Sequence, residues 1–177
     1  MYKTLKQFIS LHLINPSNFK INSLKIYSKT SSQKFPISLQ DAWEFLTNPN
    51  NLSKITPPEM NFKIVAGADK PLYAGQILTY SVTPLFGIKT PWVSEITQVV
   101  KNHYFIDVQI QGPYAFWHHQ HFVTEIEGGV EMEDIIHYAL PIGIIGQMAH
   151  PFVVKPKLDE IFEHRTKTLT ELFGVYK

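Results

Sequence analysis

The stretch that most limits what this chain can fold into is residues 112–141, GPYAFWHHQHFVTEIEGGVEMEDIIHYALP. Two runs rich in aromatic and β-branched residues flank Glu127-Gly128-Gly129, which is the pattern of a long β-hairpin. Side chains alternate along a strand. Phe116, His118, Gln120, Phe122, Thr124 and Ile126 therefore share one face of the first arm, and Ala115, Trp117, His119, His121, Val123 and Glu125 share the other. On the second arm Val130, Met132, Asp134, Ile136, Tyr138 and Leu140 form one face, and in both arms the even-numbered face is the more apolar. These faces coincide if Glu127-Gly128-Gly129 is a three-residue turn with Ile126 opposite Val130; a two-residue turn would need a bulge elsewhere. In that register His118 lies opposite Tyr138 and Phe122 opposite Asp134. A mostly apolar face then carries His118, Gln120, Asp134 and Tyr138, which is how a ligand cavity looks in sequence.

The chain of 177 residues is long enough for one domain with a substantial core, and no linker-like stretch divides it. Residues 21–177 read as that domain. Residues 1–20 read as a leader or short amphipathic helix, with Leu5, Phe8, Ile9, His12 and Leu13 at helical spacing before Asn15-Pro16. That apolar part is too short to span a bilayer and lacks a secretory cleavage site, so no transmembrane segment and a cytoplasmic location are expected. A net charge of +1 disfavours nucleic acid as a partner. Having no Cys, the chain has no thiolate zinc site, disulfide framework or Cys nucleophile.

Ile21 to Pro36 reads as a first strand. Ser38 is placed as an N-cap three residues before Asp41, and Leu39, Ala42, Trp43, Phe45 and Leu46 follow a helical period to Asn48-Pro49. A second short helix spans about residues 49–55 and stops before Pro57-Pro58. Four strands follow, at about 60–66, 76–83, 88–100 and 103–111, each bounded by Gly, Pro or Asn. With the hairpin they make a seven-stranded antiparallel sheet in an α+β fold. From Lys157 onward, Leu158, Ile161, Phe162, Arg165, Leu169, Leu172 and Phe173 form one helical stripe, closed by Gly174.

This order, together with PISLQDAWEFLTNPNNLSKITPP at 36–58, YAGQILTYSVTPLFGIKTPWVSEIT at 73–97, the hairpin at 112–138, and AHPFV and IFEHR within 149–165, resembles the START-like (SRPBCC) superfamily. Within it, the chain is similar to a bacterial branch labelled polyketide-cyclase-like or, loosely, cell-division-inhibitor-like. The resemblance implies a helix-grip fold in which the sheet curls around the C-terminal helix and leaves an apolar cavity between them. The superfamily includes lipid carriers, hormone receptors and cyclases, so it implies a fold more sharply than a chemistry. By parity alone, Tyr80, Val82, Trp92, Ile96, Ile106 and Val108 extend the candidate lining.

The expected function is binding of a small hydrophobic or amphipathic ligand. The candidate contacts are Tyr80, Trp92, Phe116, His118, Gln120, Phe122, Asp134, Tyr138 and Arg165. The alternatives are a cyclase- or dehydratase-like enzyme using His118, Asp134 and Tyr138 as acid and base groups, or a non-catalytic dimerising module. Arg165, inside the apolar stripe, is not left unpaired when buried: it meets an acidic ligand, pairs with Asp134, or reaches solvent at the cavity mouth. No cofactor and no metal are expected. His119, His121 and His137, which that register puts on the opposite face, are the group through which zinc would bind if it did. Trp117 on the same face points to a partner surface such as a homodimer. Leu85 and Phe86, at the Pro84–Gly87 hairpin tip, are apolar where a turn is normally polar, which suits a lid over the cavity, a membrane contact or simple packing against Pro141 to Met148.

Overall fold

The structure is a computed structural model and describes residues 24–84 and 87–177. The leader of residues 1–20 and the lid residues Leu85 and Phe86 lie outside the described residues. Strand β1 (Tyr27–Phe35) is followed by helix α1 (Leu39–Thr47) and two single 3-10 turns (Pro49–Ser53 and Pro58–Met60). Then come β2 (Lys63–Ala66), β3 (Gln76–Val82), β4 (Thr90–Val100), β5 (Tyr104–Gln111), β6 (Phe116–Ile126) and β7 (Gly129–Ala139). The chain ends in α2 (Gly143–Ala149), a π-helical turn (His150–Val154) and α3 (Lys155–Phe173). Among the described residues no helix is long and apolar enough to cross a membrane.

Local chemistry sets most of these boundaries. Ser38 caps α1 by accepting the Asp41 N–H at 3.1 Å and donating its hydroxyl to the Asp41 carboxylate at 2.6 Å. Asn48 ends that helix and caps the next turn by accepting the Asn50 N–H at 3.1 Å. Proline has no N–H to give to the preceding turn, and Pro151 lies in the widened π turn that joins α2 to α3.

The seven strands form one antiparallel sheet in the order β1-β7-β6-β5-β4-β3-β2. Helix α3 lies across it. Leu158, Phe162 and Leu169 are buried as the apolar stripe requires, although Leu172 at its end is 49 % exposed. Phe162 packs with Trp117, Ile136 and Tyr138, and Leu169 packs with Phe35, Val123 and Met132 on the α1 side. The edge strand β1 is tied to α3 by the Lys29–Asp159 pair at 2.6 Å and by Gln33, which donates to Thr170 Oγ1 at 2.7 Å.

The hairpin register differs from the expected one. Ile126 pairs with Gly129, not Val130, so the turn is the two residues Glu127-Gly128 and every β6–β7 pair shifts by one. The reason lies in the two glycines, which have separate tasks. Gly128 takes the turn at φ +75°, whereas a Cβ on Gly129 would stand 2.0 Å from the Phe35 carbonyl oxygen. Gly129 is thus the first residue of β7, kept bare by the end of β1. The odd-numbered face of β6 consequently joins the even-numbered face of β7, and Trp117, His119, His121 and Val123 are the buried residues.

A second parity change comes at the β4–β5 pair. Ile96 pairs with Asp107 but Gln98 pairs with Ile106, leaving Thr97 as a bulge that turns the inner face of β4 onto the odd residues of β5. Phe105 and Asp107 therefore face inward, and the expected lining residues Ile106 and Val108 do not line the cavity.

This division of labour predicts unequal costs in urea denaturation. Gly129→Ala must push β1 away and should cost about 1–3 kcal/mol. Gly128→Asn, a residue that tolerates a left-handed backbone, should cost less than about 1 kcal/mol. The opposite ranking would refute the two-residue turn.

Candidate functional site

A cavity of about 450 Å³ lies between the inner sheet face, α3 and the segment from Leu140 to Val154. Most of its wall is apolar. Leu78, Tyr80 and Val82 come from β3, Trp92 and Ile96 from β4, Trp117 from β6, and Leu158 and Phe162 from α3. These positions follow from alternation, since every second residue of an inner strand points into the same space. One end is covered by Gly146, Ala149 and Val153, while Ile144, Ile145, Met148 and Phe152 of the same segment face solvent.

A polar cluster lies on β5 and β6, where Asp107, His119 and His121 line the cavity together with Arg165 of α3; Asn48, Asn51, Thr56, Ser94 and Lys157 are polar lining elsewhere on the wall. Asp107 and His119 are direct cross-strand partners, and His121 follows two residues later on the same face. Each imidazole reaches both of two carboxylates. His119 Nε2 is 3.0 Å from Asp134 Oδ1 and its Nδ1 is 3.6 Å from Asp107 Oδ2. His121 Nε2 is 2.9 Å from Asp107 Oδ2, and its Nδ1 is 2.8 Å from Asp134 Oδ1, although outside hydrogen-bond alignment. The two rings lie 3.7 Å apart, and His121 stacks on Phe105 at 4.1 Å. Asp134, behind the histidines, also meets the Arg165 guanidinium, with Nη2 at 3.3 Å. Arg165 Nε is buried with no hydrogen-bond partner among the described residues.

The charges follow from these contacts. Burial by itself would raise the pKa of Asp134, but the positive charge of Arg165, the hydrogen bond from His119 and the close contact with His121 hold it well below the usual carboxylate range. Burial and the neighbouring His121 lower the pKa of His119, so this ring is neutral. Burial also opposes charging His121, yet the hydrogen bond to Asp107 and the contact with Asp134 outweigh it and raise its pKa. The Tyr80 hydroxyl is pushed up by burial and then by the charge of Asp107, which keeps it protonated.

The expected site residues divide between the two faces of the sheet. Tyr80, Trp92 and Arg165 line the cavity. Asp134 is buried behind the histidines, and Tyr138 is buried further along β7, bonded to His150 at 2.8 Å and 5.6 Å from the Tyr27 ring. Phe116, His118, Gln120 and Phe122 are on the other face, because the one-residue shift of the turn reverses β6. His118, Asp134 and Tyr138 are therefore not brought together as an acid–base set. His137 pairs with His118 on that outer face, so the three-histidine group does not form; Asp107 stands with His119 and His121 instead. Trp117, expected on a partner surface, is buried in the cavity wall. Sequence reading missed Asp107. Its one signal was a lone carboxylate within an otherwise uncharged strand, and the Thr97 bulge hid which face it was on.

Comparison with family models finds no match, and comparison with curated protein sequences finds none. Solved structures do match. The Mycobacterium smegmatis protein Ms6760 is 20% identical with a TM-score of 0.58, over 82% of this chain and 92% of that one. A protein from Thermus thermophilus is 15% identical with a TM-score of 0.61, over 82% and 95%. The major latex-like protein 151 of Panax ginseng is 10% identical with a TM-score of 0.61, over 84% and 97%. At such identities the likeness establishes the fold alone.

The buried pair gives a mutant cycle. Arg165→Met strands the Asp134 carboxylate and should cost about 3–5 kcal/mol in urea denaturation. Adding Asp134→Asn removes the stranded charge and should recover part of that loss. Strict additivity of the two changes would refute the pairing.

Proposed function

Starting from the helix-grip fold of the START-like superfamily, which this chain has, we infer that the protein reversibly binds a small hydrophobic or amphipathic molecule inside the cavity. The observation that carries this reading is a mostly apolar space of about 450 Å³ with a buried polar cluster, Asp107, His119, His121 and Arg165, on its wall. Ligand sites of small molecules are typically of roughly 300–1,000 Å³, mostly apolar, with a few polar groups that fix orientation. An amphipathic ligand suits that distribution: its apolar body lies against β3, β4 and α3, and an oxygen-bearing end meets Asp107, His119, His121 and Arg165. Tyr80 and Trp92, proposed from sequence, serve as aromatic wall, and Arg165 as a positive charge beside the polar cluster that a ligand carboxylate would meet. Phe116, His118, Gln120 and Phe122 have no part in this reading.

Native mass spectrometry of protein purified from its own host tests the reading directly, with a co-purified small molecule as the expected result. In titration with a fluorescent polyunsaturated fatty acid, the wild type should bind one molecule and quench the cavity tryptophans Trp92 and Trp117. Ile96→Trp, which fills the space between β3, β4 and the polar wall, should weaken binding at least tenfold, equal to about 1.4 kcal/mol. Unchanged affinity in that variant would place the ligand elsewhere.

A further inference from the structure

We propose that Asp107, His119 and His121 form a binding site for a divalent first-row transition-metal ion, held at the inner wall with its remaining positions open to the cavity. Their ligand atoms all lie within 4.8 Å of one another. Three features make this more than a cluster of polar residues. The first is the donor set: two imidazoles and one carboxylate on one side of an ion, with open positions on the other, is an arrangement used by iron and zinc centres. It comes from rigid elements, because Asp107 and His119 are paired residues of adjacent strands and His121 is on the same face of β6.

The second feature is the support behind the ligands. Histidines that bind metals usually give their other ring N–H to a carboxylate, which fixes the ring and its tautomer. Here one carboxylate faces both rings, with Asp134 Oδ1 at 3.0 Å from His119 Nε2 and 2.8 Å from His121 Nδ1. The nitrogens on the opposite side, His119 Nδ1 and His121 Nε2, are then turned toward Asp107 Oδ2 at 3.6 and 2.9 Å. The His119 ring is oriented by its hydrogen bond to Asp134, and His121 Nε2 meets Asp107 Oδ2 through a hydrogen bond. An ion that replaces the proton of that bond brings two imidazole nitrogens and a carboxylate oxygen to one point, as metal binding with proton release does. Arg165 at 3.3 Å holds Asp134 in place from the helix.

The third feature is location. Asp107, His119 and His121 line the cavity, whereas Asp134 does not. Ligands face the open space and the orienting carboxylate lies behind them. An ion there would have apolar walls on its far side, so its open positions would accept an oxygen or nitrogen donor of a molecule in the cavity. Two nitrogen donors select a transition metal over Mg²⁺ and Ca²⁺, which prefer all-oxygen shells. The site goes beyond the ligand-binding reading and is tested with no organic ligand present, so either can fail while the other stands.

The experiment is titration of the chelator-treated full chain with Co²⁺, followed by visible absorption, and then with Zn²⁺ in competition. One Co²⁺ per chain is expected, displaced by Zn²⁺ and not by Mg²⁺ or Ca²⁺. Asp107→Asn and His121→Gln should abolish stoichiometric binding, while Asp134→Asn should weaken it about 10–100-fold through loss of ring orientation. The double variant His118→Ala with His137→Ala, which removes the paired histidines of the outer face, should bind as wild type. Should the ligand variants not fold by circular dichroism, imidazole NMR of the wild type decides, with Zn²⁺ expected to move the His119 and His121 ring signals and leave those of His118 and His137. Absence of binding in the folded wild type, retention in Asp107→Asn or His121→Gln, or Zn²⁺ shifts confined to His118 and His137 would each overturn the proposal.

Discussion

The buried carboxylate of Asp134 is the point at which sheet and helix are fixed to one another. It receives His119 and His121 from β6 and Arg165 from α3. The apolar stripe of α3 would pack almost as well after a slip of one helical turn, because its large side chains recur at that spacing. Such a slip moves Arg165 by about 5.4 Å, which separates the guanidinium from Asp134 and leaves two buried charges unpaired. Apolar packing therefore holds the helix on the sheet, and polar contacts, the buried Arg165–Asp134 pair and the Lys29–Asp159 pair to β1, select its position.

The same carboxylate shows why the β6–β7 register matters. Asp134 is paired with His121 across the hairpin and sits beside His119 on the inner face. In a register one residue longer, it would meet Phe122 and the histidines would point to solvent. What chooses between the two is a contact from outside the hairpin, the Phe35 carbonyl against Gly129. A shift by one residue exchanges whole faces, so this single approach of backbone decides whether the cavity receives His119 and His121 or His118 and Gln120.

Element order, the Ser38 cap, the inner face of β7 and the burial of α3 were legible because each rests on residues close in sequence. The inner face of β6 was not, since Gly128 and Gly129 look alike in sequence and only the neighbouring strand distinguishes them. Asp107 was hidden for a similar reason. The Thr97 bulge has no local marker, and parity carried past it exchanges Asp107 and Phe105 for Ile106 and Val108. Hydrophobicity misled as well: the even face of β6 holds Phe116 and Phe122, while the buried face holds two histidines that each hydrogen-bond a carboxylate on a neighbouring strand. A histidine pair reads as solvated until its counter-charges are known.

Charge counting over the buried set links the structural and functional sides. With both imidazoles neutral, Asp107 and Asp134 against Arg165 leave one negative charge uncompensated next to an apolar cavity. An unpaired buried charge costs several kcal/mol, so the wall needs one more positive charge. A proton on His121 supplies it, with the ring hydrogen-bonded to Asp107 and in contact with Asp134, and the raised pKa of that ring expresses the same demand. A divalent ion in front of Asp107, His119 and His121 would supply it differently, releasing the proton on binding as metal sites do. The two occupants leave the wall with different net charge, neutral in one case and positive in the other. A ligand carboxylate or enolate would therefore be held more strongly by the second, and in both cases Arg165 stays committed to Asp134 and does not have to leave it to meet the ligand.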